Sequence, residues 1–182
     1  MLAYRRHTAR WAALVTLCLI AGLFSGAANA DTLAEDNVKA GFILNFAKYT
    51  EWPSGALDGG NLRVCGLGNQ VLSGKLAQMQ GRQVQGHEIQ VRSTMRADEW
   101  RDCHVLYIPA NEKQRLEAVL RALAQEPVLI VGEGEDFARA GGMIGLKLRA
   151  GRIRFDINLA AVRKARLNLS SQLLKLADEV TQ

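Results

Sequence analysis

Val105-Leu106-Tyr107-Ile108 is four apolar residues in a row, bounded by His104 and Pro109. A strand with one wet face alternates apolar and polar side chains, whereas a strand covered on both faces need not. The run therefore predicts an internal strand of a parallel sheet, which requires helices on both sides. Working outward supports this. Upstream, Leu62 to Cys65 is a short apolar run between glycines, followed by Gly66-Leu67-Gly68 and a helical stretch to about Met79, which reads as strand, tight turn, helix. Val84 to Val91 reads as a second strand, making the Cys103 to Ile108 stretch the third. Downstream, Glu112 to Ala124 carries Leu116, Val119, Leu120 and Leu123 on one helical face, with Glu117 and Arg121 as a favourable i,i+4 pair. Pro127 then introduces a fourth apolar strand, Val128 to Val131.

The pattern changes at both ends. From Asp36 to Trp52 the residues Val38, Phe42, Ile43, Phe46 and Tyr49 recur at three- and four-residue steps, predicting an amphipathic helix stopped by Pro53. After Gly142, Ile144, Leu146 and Leu148 alternate with small or basic residues; Ile153, Phe155, Ile157 and Leu159 alternate with Arg154, Asp156 and Asn158. Two strands with one wet face each, joined by Ala150-Gly151, form an antiparallel hairpin. Ser170 can cap a last helix that turns Leu173, Leu174, Ala177 and Val180 inward. The expected fold is three-layer α/β: a mainly parallel sheet flanked by helices, with an added antiparallel C-terminal hairpin.

The first thirty residues read as a secretory leader. Arg5, Arg6 and Arg10 form a basic start, Trp11 to Phe24 is apolar and shorter than a membrane span, and Ala28-Asn29-Ala30 is a small-x-small cleavage site. Cleavage leaves residues 31–182 as one domain of 152 residues, enough for a real core. The whole chain carries +5, but three arginines and no acids leave with the leader, so 20 basic residues face 18 acidic ones. A surplus of two gives no footprint for nucleic acid, and no apolar segment remains to enter a membrane. Cys18 leaves too, and Cys65 and Cys103 remain. Two cysteines in an oxidising compartment suggest one disulfide. In the common 2-1-3-4 strand order the first and third strands are neighbours, which puts the pairing within geometric reach; two buried thiols are the rival reading.

No motif supports catalysis or a cofactor. Gly66-Leu67-Gly68 copies two glycines of a dinucleotide fingerprint, with Glu88 about twenty residues on, but the third glycine is missing. Gly68 to Lys75 has five residues between its glycines where a P-loop has four, and Leu76 replaces the magnesium-holding hydroxyl. Ser73 does not lie in a nucleophile elbow. His104 beside Cys103, with His87, lacks a third metal ligand. Glu133, Glu135 and Asp136 form an acidic loop after the fourth strand, at the sheet end where α/β ligand sites lie, and a solvated loop is the simpler reading. The expected site lists are therefore no catalytic, no cofactor and no metal residues.

Three stretches together resemble the YfiR-like family of periplasmic proteins: Val38-Lys39-Ala40 through Phe46-Ala47-Lys48-Tyr49-Thr50-Glu51-Trp52-Pro53; Leu62-Arg63-Val64-Cys65-Gly66-Leu67-Gly68; and Gly151-Arg152-Ile153-Arg154-Phe155-Asp156-Ile157-Asn158-Leu159, continued by Ser170-Ser171-Gln172-Leu173-Leu174; Asp102-Cys103-His104-Val105-Leu106-Tyr107 fits as well. They occur in order over nearly all of the chain beyond the leader. The resemblance implies a periplasmic repressor that binds the periplasmic part of an inner-membrane diguanylate cyclase and keeps cytoplasmic cyclic di-GMP low. It also implies a homodimer, an outer-membrane lipoprotein antagonist, and a Cys65–Cys103 bridge. A second cysteine pair found in the family has no counterpart in Phe137 to Gly145, which points to a structural bridge here rather than a redox switch. The candidate contact surfaces are the Glu51-Trp52 turn and the hairpin's wet face, with Arg154, Asp156 and Asn158. The alternative is a periplasmic small-molecule or cell-wall-fragment binding module, suggested by the glycine-rich turns at the ligand end of the sheet.

Overall fold

The computed structural model describes residues 27–57, 59–68 and 75–182. The expected leader's basic start and apolar run, and Cys18 with them, lie outside the described residues. Helix α1 spans Ala27–Lys48, and Asp36–Gln182 gathers into a single unit. Among the described residues no helix is long and apolar enough to cross a membrane.

The strands in chain order are β1 (Thr50–Glu51), β2 (Asn61–Leu67), β3 (Gln83–Val84), β4 (His87–Thr94), β5 (Val105–Ile108), β6 (Leu129–Glu133), β7 (Ile144–Arg149), β8 (Arg152–Asn158), β9 (Asn168–Leu169) and β10 (Glu179–Thr181). Among the described residues eight of them form one sheet, ordered β10-β8-β7-β6-β5-β2-β4-β3, and β1 pairs with β9 in a small sheet of its own. The central four, β4-β2-β5-β6, are parallel and reproduce the 2-1-3-4 order. The run that predicted an internal strand is β5, buried at all four positions. The hairpin β7–β8 is antiparallel and joins β6 in parallel. Its turn places Ala150 at φ 48° and Gly151 at φ 72°, the left-handed pair that a two-residue hairpin demands and that Gly tolerates best.

Register and alternation sort the layers. On one face, Phe155 of β8 meets Phe42 and Phe46 of α1, with ring centroids 5.7 and 5.0 Å apart. On the other, Phe137 lies over β6 and β7: a Cβ on Gly132 or Gly142 would sit 2.1 Å from its ring, and one on Gly145 3.1 Å from its Cβ. Three glycines thus form a cradle for one aromatic side chain. Beside it a 3-10 turn, Ala110–Arg115, runs into α2 (Leu116–Ala122), whose Leu116 and Val119 are buried.

Several expectations on element ends are corrected. The first helix stops at Lys48 rather than Trp52, because Thr50 and Glu51 pair with Leu169 and Asn168. The Val84 to Val91 strand divides at Gln85-Gly86, both with positive φ, into the hairpin β3–β4. The helix at Glu112 to Ala124 is 3-10 through its first turn. A short helix not expected from the sequence, α3 (Leu159–Lys164), follows β8, and the last helix is only α4 (Ser171–Leu174), capped by Ser170 as expected. Beyond α4 the chain gives up helix for β10, which pairs in parallel with β8 at the sheet edge. Val180 is accordingly 36% exposed instead of packed inward. The open edge of β8 offers backbone partners to several residues at once, which a frayed last turn cannot.

Candidate functional site

The Glu51-Trp52 turn is held from three sides. Thr50 is fully buried and its hydroxyl donates to the Phe46 carbonyl at 2.7 Å. The Gln85 amide donates to the Lys48 and Thr50 carbonyls, each at 2.8 Å. Glu51 is exposed and accepts from the Asn168 amide at 2.9 Å. Trp52 packs against the core as a half-buried residue, its ring edge-on to His104 with centroids 6.5 Å apart, and its buried Nε1 has no hydrogen-bond partner among the described residues.

His104 is the floor of this turn. Its Nδ1 accepts from the Arg63 backbone N–H at 2.8 Å, so the proton sits on Nε2, which donates to the Ala56 carbonyl at 2.9 Å. Burial, and then the Arg63 guanidinium, push its pKa down to about 4. The ring is therefore neutral at pH 7 with both nitrogens engaged, and Cys103 beside it is joined to Cys65 across a Cα–Cα distance of 5.9 Å. The pair that suggested a metal site is committed elsewhere.

The hairpin face differs from expectation. Asp156 is not on a wet surface: it is 7% exposed and accepts from the Lys147 ammonium at 2.6 and 2.7 Å, while Asp178 approaches the same ammonium at 3.6 Å. Buried charge is costly unless paired, and this geometry pairs it. Asn158 is also occupied, capping α3 through the Ala161 N–H and donating to the Ala138 carbonyl, both at 3.0 Å. Of the three hairpin candidates only Arg154 is presented to solvent. Sequence reasoning passed over its neighbours Arg149 and Arg152, which with Ala150 and Asp178 line a hollow of about 490 Å³. The signal was present, because residues 147, 149, 152 and 154 are all basic and share a face in any hairpin turning at Ala150-Gly151.

The acidic loop is neutralised by cations. Glu133 accepts from Lys39 at 2.7 Å and from the Tyr107 hydroxyl, Glu135 from Arg149 at 2.9 Å, and Asp136 from Arg139 at 2.7 Å. The Arg139 guanidinium holds the Asp136 carboxyl below the usual carboxylate range, which suits an ionised partner and not a general acid. Residues 69–74 of the glycine turn lie outside the described residues, but a Cβ on Gly68 would sit 3.2 Å from a Glu112 carboxylate oxygen. A carboxylate at that position repels the phosphate that a dinucleotide site would place there. Along β4, an open groove of about 400 Å³ is lined by Cys65, Val91, Arg92, Ser93, Thr94, Glu99 and Asp102. Ser93 Oγ is buried there without a partner among the described residues.

The order of motifs, the α/β topology and the Cys65–Cys103 bridge coincide with a match of residues 36–178 to the DUF4154 family, described as YfiR/HmsC-like. The chain belongs to the YfiR/HmsC-like family. Membership points to a regulatory rather than a catalytic role for this YfiR/HmsC-like domain. Solved structures similar to it are distant. A conserved domain protein from Vibrio cholerae O1 biovar El Tor shares 10% identity at a TM-score of 0.47, over 65% of this chain and 54% of that one. An ABC domain in complex with L-Trp from Streptococcus pneumoniae shares 10% at a TM-score of 0.46, over 69% and 57%. This chain spans a little over half the length of each.

Proposed function

We propose that this YfiR/HmsC-like protein is a periplasmic regulator, exported through a cleaved leader ending at Ala30, that represses an inner-membrane diguanylate cyclase by binding its periplasmic part. The observation that carries this reading is the family match across residues 36–178. A protein without a catalytic constellation can act by stabilising the inactive conformation of its partner, within the limit set by its differential affinity for the two states. The contact surface in this proposal joins Glu51 and Trp52 with Arg154; Asp156 and Asn158 serve it from beneath, holding the hairpin's shape. A homodimer and an outer-membrane lipoprotein antagonist belong to the same proposal. Deleting the gene in a strain that retains the cyclase is expected to raise cyclic di-GMP and surface attachment, and unchanged nucleotide would sink the reading. Sedimentation of the purified protein tests the dimer separately.

A second reading, a small-molecule or cell-wall-fragment binding module, is favoured by the groove along β4 and the orphan Ser93 hydroxyl within it. Thermal shift against periplasmic metabolites and muropeptides tests it. A ligand at a hundred times its dissociation constant adds about 2.7 kcal/mol, and Ser93→Ala should abolish any shift arising in that groove. A panel without any shift removes this reading.

A further inference from the structure

The register of β7 and β8 sets Arg149 directly opposite Arg152 and Lys147 directly opposite Arg154. Strand alternation puts all four cations on one sheet face. Like charges directly opposite destabilise a strand pair, and here they are only partly offset. Lys147 is taken by Asp156 and approached by Asp178, and Arg149 meets Glu135 at 2.9 Å. Arg152 and Arg154 are exposed and have no hydrogen bond or ion pair among the described residues. Glu179, which the β10–β8 register sets beside Asp156, is taken by Arg139 at 3.5 Å, so Arg152 and Arg154 keep their charge beside the hollow formed by Arg149, Ala150, Arg152, Arg154 and Asp178.

These unpaired guanidiniums call for an anion. A carboxylate fits the planar fork of a guanidinium, whereas a phosphate dianion sets twice the charge beside Asp178 at the wall. The other face of the same hairpin tip fixes the kind of molecule: Leu148 is 53% exposed there, opposite the part-buried Ile153. A free carboxylate ion leaves Leu148 uncovered, and a lone exposed ion pair contributes only about 0–1 kcal/mol. A protein surface is able to cover both faces of the tip.

We infer that the tip of the β7–β8 hairpin docks on an acidic segment of a partner protein, seating an Asp or Glu carboxylate among Arg149, Arg152 and Arg154. The inference rests on the reading of this chain as a regulator that acts by contact, and it names the chemistry of that contact.

The probe is a hexaglutamate peptide titrated into the full chain expressed with its leader and purified, followed through the arginine Nε–Hε resonances. Saturable shifts are expected at Arg152 and Arg154, weakening as salt is raised. The double variant Arg152→Glu with Arg154→Glu should lower the affinity at least about tenfold. The neutral pair Arg152→Gln with Arg154→Gln gives the same reading if charge reversal disturbs the fold. Inorganic phosphate and vesicles of phosphatidylglycerol in phosphatidylcholine should leave these resonances unmoved. No saturable response to hexaglutamate, or an equal response to the vesicles, overturns the inference, the latter in favour of a lipid surface. Its failure is separable from that of the proposed function. A gene deletion that leaves cyclic di-GMP unchanged defeats the regulator and leaves the peptide result standing, whereas raised nucleotide without peptide binding defeats the docking element alone.

Discussion

At His104 the two ring nitrogens divide the labour, one accepting from Arg63 and the other donating to Ala56, and a second proton would break the first of these bonds. The folded ring titrates at about 4 against an ordinary 6.5, so between those values the unfolded chain binds a proton that the folded one refuses. This group's contribution to stability therefore declines as pH falls from 6.5 to 4 and declines no further below that. We expect a loss of about 1–2 kcal/mol across the interval after solvent screening is allowed for. Urea unfolding at pH 7, 5.5 and 4 reads it out, and His104→Gln should flatten the slope relative to wild type. Phe137 makes a second residue-scale prediction. Gly132→Ala would drive a methyl group into its ring and should cost about 1–3 kcal/mol by overpacking, while Phe137→Ala should cost about 3–5 kcal/mol by leaving a cavity; thermal denaturation of the two variants measures both. Neither the cradle nor the burial of Asp156 was legible in the sequence. Alternation assigns Asp156 to the same strand face as Arg154, but whether that face is wet at one rung and dry two residues later depends on what the distant Asp178 segment covers.

Among the elements, the strands of the core were legible because an apolar run such as Val105 to Ile108 has few other uses, and their order is the common doubly wound one. The ends were not. Thr50 and Glu51 continue a helical pattern locally, and only their pairing with Asn168 and Leu169 draws them out of it. Val180 has helical spacing from Leu173, yet the edge of β8 claims it. Two tests belong here. The Cys65–Cys103 bridge closes a 38-residue separation, so the double variant Cys65→Ala with Cys103→Ala should lose about 3–4 kcal/mol from loop closure. If the bridge is structural, repression should survive at a temperature where this variant remains folded; abolished repression by a folded double variant would instead mark a switch. Truncation after Leu174 removes Asp178 and β10, baring the edge of β8, and light scattering should show concentration-dependent association that wild type lacks.

For the molecule as a whole, the sequence carried family and fold together, since its matching stretches are also its buried strands and the helix that packs on them. Exposure was only partly readable: Glu51 and Arg154 are exposed and Trp52 is half-buried, whereas Asp156 is buried and Asn158 was drawn inward by capping. Ile144 through Asn158 supplies the hairpin on which the proposed contact surface and the acidic-segment inference both draw. Substituting Arg149, Arg152 and Arg154 together with glutamate should therefore leave thermal stability within about 1 kcal/mol while raising cyclic di-GMP toward the deletion level, and a variant that represses normally would remove the hairpin from the contact. The pairing of Thr50 with Leu169 and of β8 with β10 adds a constraint in time. A polypeptide whose opening strand waits for a mate more than a hundred positions later cannot close that pair until Leu169 has been made. Such non-local pairing must meet its loop-closure entropy before any contact repays it, which slows folding.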